Sequence, residues 1–189
     1  MSRIAGKGWS TTVYANKSKS RTGFSLVELV IVIVIIGVIA AIAIPRVSRG
    51  ARGAGDSALR SDLAVLRNAI ELYASEHNGI FPGANAAGGS FGAAETADAF
   101  KNQLLMYSDA NGAVAETKDT THVYGPYIRK QIPTLPAGTN RGSNEVTVTS
   151  STPAASGTTG WVYCFKTGEI IANCADSEKD ESDKQYNQY

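Results

Sequence analysis

Residues 21–46 read R-T-G-F-S-L-V-E-L-V-I-V-I-V-I-I-G-V-I-A-A-I-A-I-P-R. Within this stretch an apolar run extends from Phe24 to Ile44. A helix rises ~1.5 Å per residue, so a run of this length can cross the ~30 Å hydrocarbon core of a bilayer. Its one charged residue is Glu28, and a carboxylate inside a membrane costs roughly 2.5–3.5 kcal/mol on insertion scales. The sequence therefore predicts a membrane-spanning helix whose single acid needs a partner.

The segment ahead of this run is basic throughout. Residues 1–23 contain no acid and five basic residues, which are Arg3, Lys7, Lys17, Lys19 and Arg21. A secretory signal also starts with basic residues, but its cleavage site follows the apolar region, and no A-x-A-like site follows Ile44. Positive flanks stay in the cytoplasm, which predicts a cytoplasmic N-terminus and an external C-terminal part. An uncleaved single-span anchor is the alternative, and it leaves Glu28 unexplained.

Gly23, Phe24 and Glu28, with the apolar run behind them and Pro45 near its end, resemble the class III signal of type IV pilins and of type II secretion pseudopilins. The resemblance implies that a membrane peptidase cuts between Gly23 and Phe24 and then methylates the new N-terminus at Phe24. It also implies a bacterial inner-membrane protein that crosses the membrane once, has its head in the periplasm, and then enters a filament.

The resemblance also implies a partner for Glu28, namely the amine of Phe24 in a neighbouring subunit. Leaving one buried charge unpaired is costly, so this pairing would set the stagger between subunits. There are two alternatives: Glu28 pairs with the N-terminus of its own chain, or its side chain extends to the membrane surface. The implied partners are further copies of the chain, the prepilin peptidase and N-methyltransferase, the inner-membrane assembly platform and the secretion ATPase.

Composition narrows the function classes. The net charge of +1 becomes about −4 without the leader, and neither value predicts nucleic-acid binding. Small polar residues dominate 83–98 and 138–160, which is typical of a loop-rich exported domain. No G-x-S-x-G, H-E-x-x-H, P-loop or dinucleotide fingerprint is present. The chain is therefore predicted not to be an enzyme and to need no cofactor.

Helical periodicity returns after a weak zone at Pro45, Gly50, Gly53 and Gly55. One apolar stripe at helical spacing comprises Leu59, Leu63, Leu66, Ile70 and Tyr73. The pattern stops at His77-Asn78-Gly79, with Pro82 beyond it. The sequence thus predicts one helix from about Phe24 to His77, softened near Pro45.

The predicted organisation has five parts. They are a cleaved leader (1–23), a membrane or filament-core helix (24–44), an amphipathic continuation (45–78), a globular head (79–175) and a solvated acidic tail (176–189). In the head we predict a short helix over 93–107, a turn over 108–112, a strand over 145–149, and a hairpin pairing 161–165 with 169–172. The fold class is α+β and type IV pilin-like, a long helix packed on a small antiparallel sheet.

Cys164 and Cys174 fall in the part predicted to be exported, where an oxidising compartment favours a disulfide. The family resemblance points the same way, since many pilins close their C-terminal region with such a bridge. Two free thiols are the alternative, because a tight turn at Thr167-Gly168 places the cysteines out of register and on opposite faces. Two cysteines do not suffice for a metal site, and both histidines are far away in sequence.

Calcium is a further alternative that the resemblance raises, since the major pseudopilin of type II secretion carries a calcium site in its C-terminal loops. Asp176, Glu178 and Asp180, followed by Glu181 and Asp183, could imitate it. Their spacing is not that of an EF-hand loop, and a solvated tail is the favoured interpretation.

Two functions from the same family remain open. Tyr124-Gly125-Pro126-Tyr127 resembles the middle region of major pseudopilins and favours a type II secretion pseudopilin acting in protein export. Thr134-Leu135-Pro136-Ala137-Gly138 stands where the aspartate-proline-tryptophan-glycine string of that family would follow. The alternative is a type IV pilus pilin for adhesion, motility or DNA uptake. An anchored exported enzyme or ligand-binding domain is the remote third hypothesis.

Overall fold

The computed structural model describes residues 23–189, apart from the side chains of 44–49 and 51. Its elements, in chain order, are helices α1 (Leu26–Glu76) and α2 (Ala97–Leu105), strands β1 (Tyr107–Ser108), β2 (Val114–Ala115), β3 (Val146–Thr149), β4 (Trp161–Cys164) and β5 (Ile170–Ala172), and a 3₁₀ turn (Tyr186–Gln188). The chain divides into two compact units after Ile44. The predicted leader, except Gly23, lies outside the described residues.

Helix α1 runs without interruption from Leu26 to Glu76 and includes Pro45. This agrees with the single helix predicted from the periodicity on either side of the weak zone. Pro45 has no N–H to donate to the helix ladder, and the softening predicted there stays a prediction.

The C-terminus of α1 is closed by a Schellman motif. Asn78 takes the left-handed conformation, with φ of 57°, and Gly79 donates its N–H to the carbonyl oxygen of Ala74 at 2.8 Å. This bond satisfies a carbonyl that would lack a helical partner. The predicted stop at His77-Asn78-Gly79 is thus confirmed, with asparagine in the position that glycine usually takes.

The core of the second unit is built on the apolar stripe of α1. All five residues of the stripe are at most 1% exposed. They pack with side chains from α2 and from the three-stranded sheet, namely Phe100, Leu104, Trp161, Tyr163 and Ile170. Two of the large buried aromatics also make hydrogen bonds, since Trp161 donates to the Pro133 carbonyl at 2.8 Å and Tyr163 to the Pro82 carbonyl at 2.9 Å. The predicted inward face of α1 is confirmed.

The three-stranded sheet has the order β3-β4-β5. Strands β4 and β5 form the predicted antiparallel hairpin, with Trp161 opposite Ala172 and Tyr163 opposite Ile170. Strands β3 and β4 run parallel, with Val146 opposite Trp161, so the sheet is mixed rather than antiparallel throughout. A parallel pair needs a long crossover, which residues 150–160 provide. The α+β class is confirmed, with this correction to strand direction.

One buried side chain holds the crossover in place. Asn173 follows β5 and is almost fully buried. Its amide group donates to the carbonyl oxygens of Ser156 at 2.7 Å and Thr159 at 2.9 Å, and its Oδ1 accepts the Ser156 N–H at 2.8 Å. The Gly-, Ser- and Thr-rich connection is therefore ordered by the strand beside it.

The predicted turn over 108–112 is present as the connection of a second, two-stranded antiparallel sheet, in which Ser108 lies opposite Val114. Asp109 shapes this turn, because its Oδ1 accepts N–H groups from Asn111 and Ala113, each at 2.9 Å. The predicted helix over 93–107 is shorter in the structure, where α2 covers Ala97–Leu105.

The C-terminal segment packs on α1, which corrects the prediction of a solvated tail over 176–189. Tyr186 is buried and donates its hydroxyl to Oδ1 of Asp56 at 2.9 Å. Arg67 donates to the backbone oxygen of Tyr189, and the guanidinium of Arg60 lies 4.8 Å from the centre of the Tyr189 ring. The charge count of the segment predicted solvation, but its tyrosines supply anchors that a charge count does not register.

Candidate processing and assembly site

The residues on either side of the predicted cleavage point precede the helix. Gly23, Phe24 and Ser25 are not helical, and the Phe24 side chain is 89% exposed. A Cβ built on Gly23 would meet nothing within 4 Å, and its φ is not in the left-handed region. The fold of the described chain therefore does not require glycine at position 23. A requirement for glycine there must come from a molecule that acts on this segment.

Ser25 and Glu28 form a capping box at the start of α1. The Ser25 N–H donates to Oε2 of Glu28 at 2.9 Å, and the Val27 N–H donates to Oγ of Ser25 at 3.3 Å. Serine followed three residues later by glutamate is the spacing at which the two side chains satisfy N–H groups at a helix start reciprocally. A negative charge in the first turn also interacts favourably with the helix dipole.

The capping box gives Glu28 a partner in its own chain, which sequence reasoning missed. The S-x-x-E spacing of Ser25 and Glu28 was the signal that could have revealed it. Only Oε2 of the carboxylate is used, and no donor to Oε1 is found among residues 23–189. Glu28 thus holds the helix start with one oxygen and leaves the other for a second partner.

The first half of α1 exposes an unbroken apolar surface. No residue from Leu26 to Ala43 is buried within the chain, and this segment is long and apolar enough to cross a membrane. Large hydrophobic side chains are exposed along the whole segment, from Phe24 to Ile42. A contiguous apolar surface of this extent needs lipid or other protein to cover it. The segment fits a single-pass anchor in the inner membrane.

Comparison with protein families finds one match in this region. Residues 18–44 match the family described as the prokaryotic N-terminal methylation motif. The match contains Gly23, Phe24, Ser25 and Glu28, and it is the prepilin signal of type IV pilins and pseudopilins. The motif indicates a structural subunit processed by the prepilin peptidase. Searches against curated proteins and against solved structures find no match.

Cys164 and Cys174 are both buried and both free, so the predicted disulfide is absent. The strand register explains this result. Cys164 donates its N–H to the Glu169 carbonyl, whereas Cys174 lies beyond Ala172, at the opposite end of β5. The strand from Glu169, which is hydrogen-bonded to Cys164, to Ala172, which Cys174 follows, is ~10 Å long. A disulfide needs the two Cα atoms within about 7 Å. The alternative of two free thiols describes the structure.

The environments of the two thiols also differ. Burial, with a smaller contribution from the Glu178 carboxylate, raises the pKa of Cys174 to about 12. Burial acts in the same direction at Cys164, but hydrogen bonds from the Thr167 hydroxyl and from the backbone N–H groups of Lys166 and Thr167 leave its pKa below the ordinary value.

The acidic residues weighed for calcium do not converge on one point. Asp176 accepts from the Asn187 amide, and Asp180 accepts from backbone N–H groups and from Arg60. Both oxygens of Glu178 accept from protein donors, in Thr139 and Ala175. Among the residues described, no group of three or more acidic, histidine or cysteine side chains could hold a metal ion. The structure does not assemble the candidate calcium site.

The two histidines are used in local structure. His77 is buried and stacked on Tyr73, with ring centroids 3.7 Å apart. Its Nδ1 donates to the Tyr73 carbonyl oxygen at 2.8 Å, and its Nε2 lies 3.0 Å from Oγ of the fully buried Ser108. His122 donates from Nδ1 to Asp119 at 2.9 Å in an exposed loop. Within residues 23–189, neither histidine is hydrogen-bonded to an exposed nucleophile.

Proposed function

We propose that the mature chain begins at Phe24 and is a filament-forming subunit of the type II secretion pseudopilin kind. The observation that carries this proposal is the methylation motif placed directly on an exposed apolar helix with one acid in its first turn. In this proposal the N-terminus of the precursor is cytoplasmic, the second unit is periplasmic, and the apolar half of α1 moves from lipid into a filament core.

The capping box defines how subunits would pair. Cleavage after Gly23 creates a charged amine on Phe24, four residues before Glu28. Oε2 of Glu28 stays bound to the Ser25 N–H, and Oε1 accepts from the amine of a neighbouring subunit. Removing one partner of a buried ion pair costs about 3–5 kcal/mol, so only the stagger that joins amine to carboxylate is stable. The pairing therefore sets the axial register of the filament.

Two variants at the helix start separate charge from capping. Glu28→Gln keeps a side chain that can close the capping box but removes the charge. We expect it to enter the membrane at least as well as wild type, because insertion of a charge is costly, and to assemble poorly. Ser25→Ala weakens the cap by about 0.5–2 kcal/mol but keeps the carboxylate, so it should still polymerise.

The measurement is filament yield after shearing or crosslinking, with membrane insertion scored in parallel. Normal homopolymers of Glu28→Gln would refute the pairing. Failure of Ser25→Ala together with normal polymers of Glu28→Gln would show that capping, rather than charge, controls assembly.

The choice between export and pilus rests on the resemblance of residues 124–127 to major pseudopilins. In the second unit these residues build local structure, since Tyr124 pairs its backbone with Ser108 and Tyr127 donates its hydroxyl to Glu76 at 2.5 Å. If the chain is a type II secretion pseudopilin, its loss should impair export of folded proteins and leave surface fibres intact. Long surface fibres made of this chain, with export unchanged, would identify it instead as a pilus pilin for adhesion, motility or DNA uptake.

The proposed partners follow from processing and assembly. They are the prepilin peptidase and N-methyltransferase, further pilin-like subunits, the inner-membrane assembly platform and the secretion ATPase. Crosslinking from Phe24 or Glu28 should capture another pilin-like subunit in intact membranes.

A further inference from the structure

A cavity of about 530 Å³ opens where three segments of the second unit meet. Helix α1 contributes Arg52, the loop over 136–141 contributes Arg141, and the C-terminal segment contributes Lys179. Glu178 is the one acidic residue among those that line the cavity. Three cationic side chains thus surround a space that contains one carboxylate.

The Glu178 carboxylate is already bound to protein donors. Its Oε1 accepts the Thr139 N–H at 2.5 Å and the Thr139 hydroxyl at 2.8 Å, and its Oε2 accepts the Ala175 N–H at 2.8 Å. Glu178 therefore fixes the loop, and its single negative charge is outnumbered by the three cationic side chains of the lining.

Among the side chains that the structure describes, the two arginines, Arg52 and Arg141, have no ion-pair partner. Lys179 pairs with Asp183 at 3.0 Å, but Asp183 is largely exposed, and surface pairs of this kind contribute little. The lining therefore favours an anionic ligand.

The backbone that carries Arg141 is tied down on three sides. Gly142 donates its N–H to the Leu135 carbonyl at 2.8 Å, and Asn140 donates its side-chain amide to the Asn173 carbonyl at 2.8 Å. Thr139 is held by Glu178 as described above. This loop is ordered before any ligand arrives, which lowers the entropic cost of binding.

The arginines indicate the chemistry of the ligand. Guanidinium groups match the geometry of phosphate oxygens and bind them with paired hydrogen bonds. Arg52 is also close in sequence to the segment that is long and apolar enough to cross a membrane. Arg52 stands eight residues after Ile44, the end of the apolar run, and even a fully extended chain of that length reaches only ~28 Å. Arg46 and Arg49 lie between them in sequence, and basic residues that flank a span attract anionic headgroups.

We propose that this cavity binds the phosphate of an anionic phospholipid headgroup. The site differs in position and chemistry from the capping box at Glu28. It makes no use of cleavage, methylation or polymerisation, so it can fail or succeed independently of the proposed filament function.

The test uses the full chain in a neutral detergent. Dihexanoyl-phosphatidylglycerol, dihexanoyl-phosphatidylcholine and inorganic phosphate are titrated separately, with binding followed by calorimetry. The variant is Arg52→Gln with Arg141→Gln, and the matched control is Arg129→Gln with Lys130→Gln, an exposed basic pair outside the cavity. We expect the cavity variant to bind phosphatidylglycerol about tenfold more weakly or worse, since each charge-assisted hydrogen bond is strong, and the control to bind within about twofold of wild type.

The titrations with phosphatidylcholine and inorganic phosphate distinguish a lipid headgroup from free phosphate as the ligand. Phosphatidylcholine should bind at least about tenfold more weakly than phosphatidylglycerol, because its headgroup has no net charge. Inorganic phosphate binding as tightly as the lipid, and lost in the same variant, would make free phosphate the ligand of this site. Equal binding of phosphatidylglycerol by wild type and the cavity variant would overturn the proposal, since the apolar helix would then explain the uptake.

Folding and assembly need their own measurements. Circular dichroism melting checks that the double variant is folded, and Arg141→Gln alone replaces it if it is not. A variant that changes only the association between copies of the chain, with lipid binding intact, would overturn the proposal in favour of a protein partner.

Discussion

Helix α1 contains two apolar segments that differ in what covers them. Between Leu26 and Ala43 no residue is buried within the chain, whereas the stripe from Leu59 to Tyr73 is at most 1% exposed. Beyond Glu28 in its first turn, the first segment is apolar on every side, and the second is apolar on one side only. A helix that is apolar on all faces must be covered by lipid or by another protein. A helix with one apolar stripe can be covered by the rest of its own chain. The predictions below test this difference.

The largest effect should come from Gly23→Val, ahead of the exposed segment. The fold does not need glycine at this position, so the variant should fold and insert normally. By family analogy the peptidase needs a residue without a side chain there, so cleavage should be abolished. Intact mass of membrane fractions should show loss of residues 1–23, with one added methyl group, in wild type and the full precursor in the variant. An uncut wild-type chain would contradict the processing signal itself.

The second effect contrasts the two segments directly. Leu66→Ala removes a fully buried side chain and should destabilise the second unit by roughly 2–5 kcal/mol. Val65→Ala, next to it but 46% exposed, should stay within about 0.5 kcal/mol, and Ile35→Ala in the first segment should not affect the second unit. Trp161 is the sole tryptophan once residues 1–23 are removed, so its fluorescence reports the melting of the core. Equal shifts from Leu66→Ala and Val65→Ala would mean that the stripe does not face the core.

A smaller effect is expected where the C-terminal segment meets α1. Tyr186→Phe removes the hydroxyl that donates to the buried Asp56 and should cost about 1–3 kcal/mol. A double-mutant cycle with Asp56→Asn isolates the pair, and a coupling near zero would show that the contact contributes nothing.

The same hydroxyl gives a pH signature. Burial, followed by the hydrogen bond to Asp56 and its charge, raises the pKa of Tyr186 to about 12. Because the pKa is raised on folding, its contribution is complete below the unfolded value of about 10 and declines as pH rises through about 12. The fall in melting temperature of the folded unit over this range should be shallower in Tyr186→Phe. Identical slopes would contradict the assignment.

The smallest change is chemical. Both thiols are free and buried, the pKa of Cys174 is about 12, and the pKa of Cys164 lies below its ordinary value, so Cys164 is protected by burial alone. Native protein should resist alkylation at pH 8, and protein unfolded without reductant should take up two alkyl groups. If the unfolded protein takes up no alkyl group, the two cysteines form a disulfide.

Periodicity predicted the parts of the fold that depend on local pattern. The stripe on α1, the stop at His77-Asn78-Gly79 and the hairpin around Gly168 each follow from spacing within one short window. Strand direction does not, because alternation in Glu145–Thr149 is the same in a parallel and an antiparallel pair. The crossover between the two parallel strands is held by Asn173, which follows β5 and lies outside the window that contains β3.

The candidate site was predictable in position but not in full. Gly23, Phe24 and Glu28 were identified from their order along the chain, and residues 18–44 match the methylation motif. The role of Ser25 was missed because Glu28 was considered as a buried charge rather than as a capping residue. The contact between Asp56 and Tyr186 joins residues 130 positions apart, which no local pattern predicts.

The capping box also determines where α1 begins relative to the Gly23–Phe24 bond. By fixing Ser25 as the residue before the first helical turn, it keeps the helix from growing backwards into the peptide bond between Gly23 and Phe24. A helical peptide bond hides its carbonyl in the ladder of hydrogen bonds, whereas a non-helical one leaves it open to attack. The same two side chains that begin the helix thereby leave the peptide bond at which we propose cleavage outside it, with its carbonyl accessible.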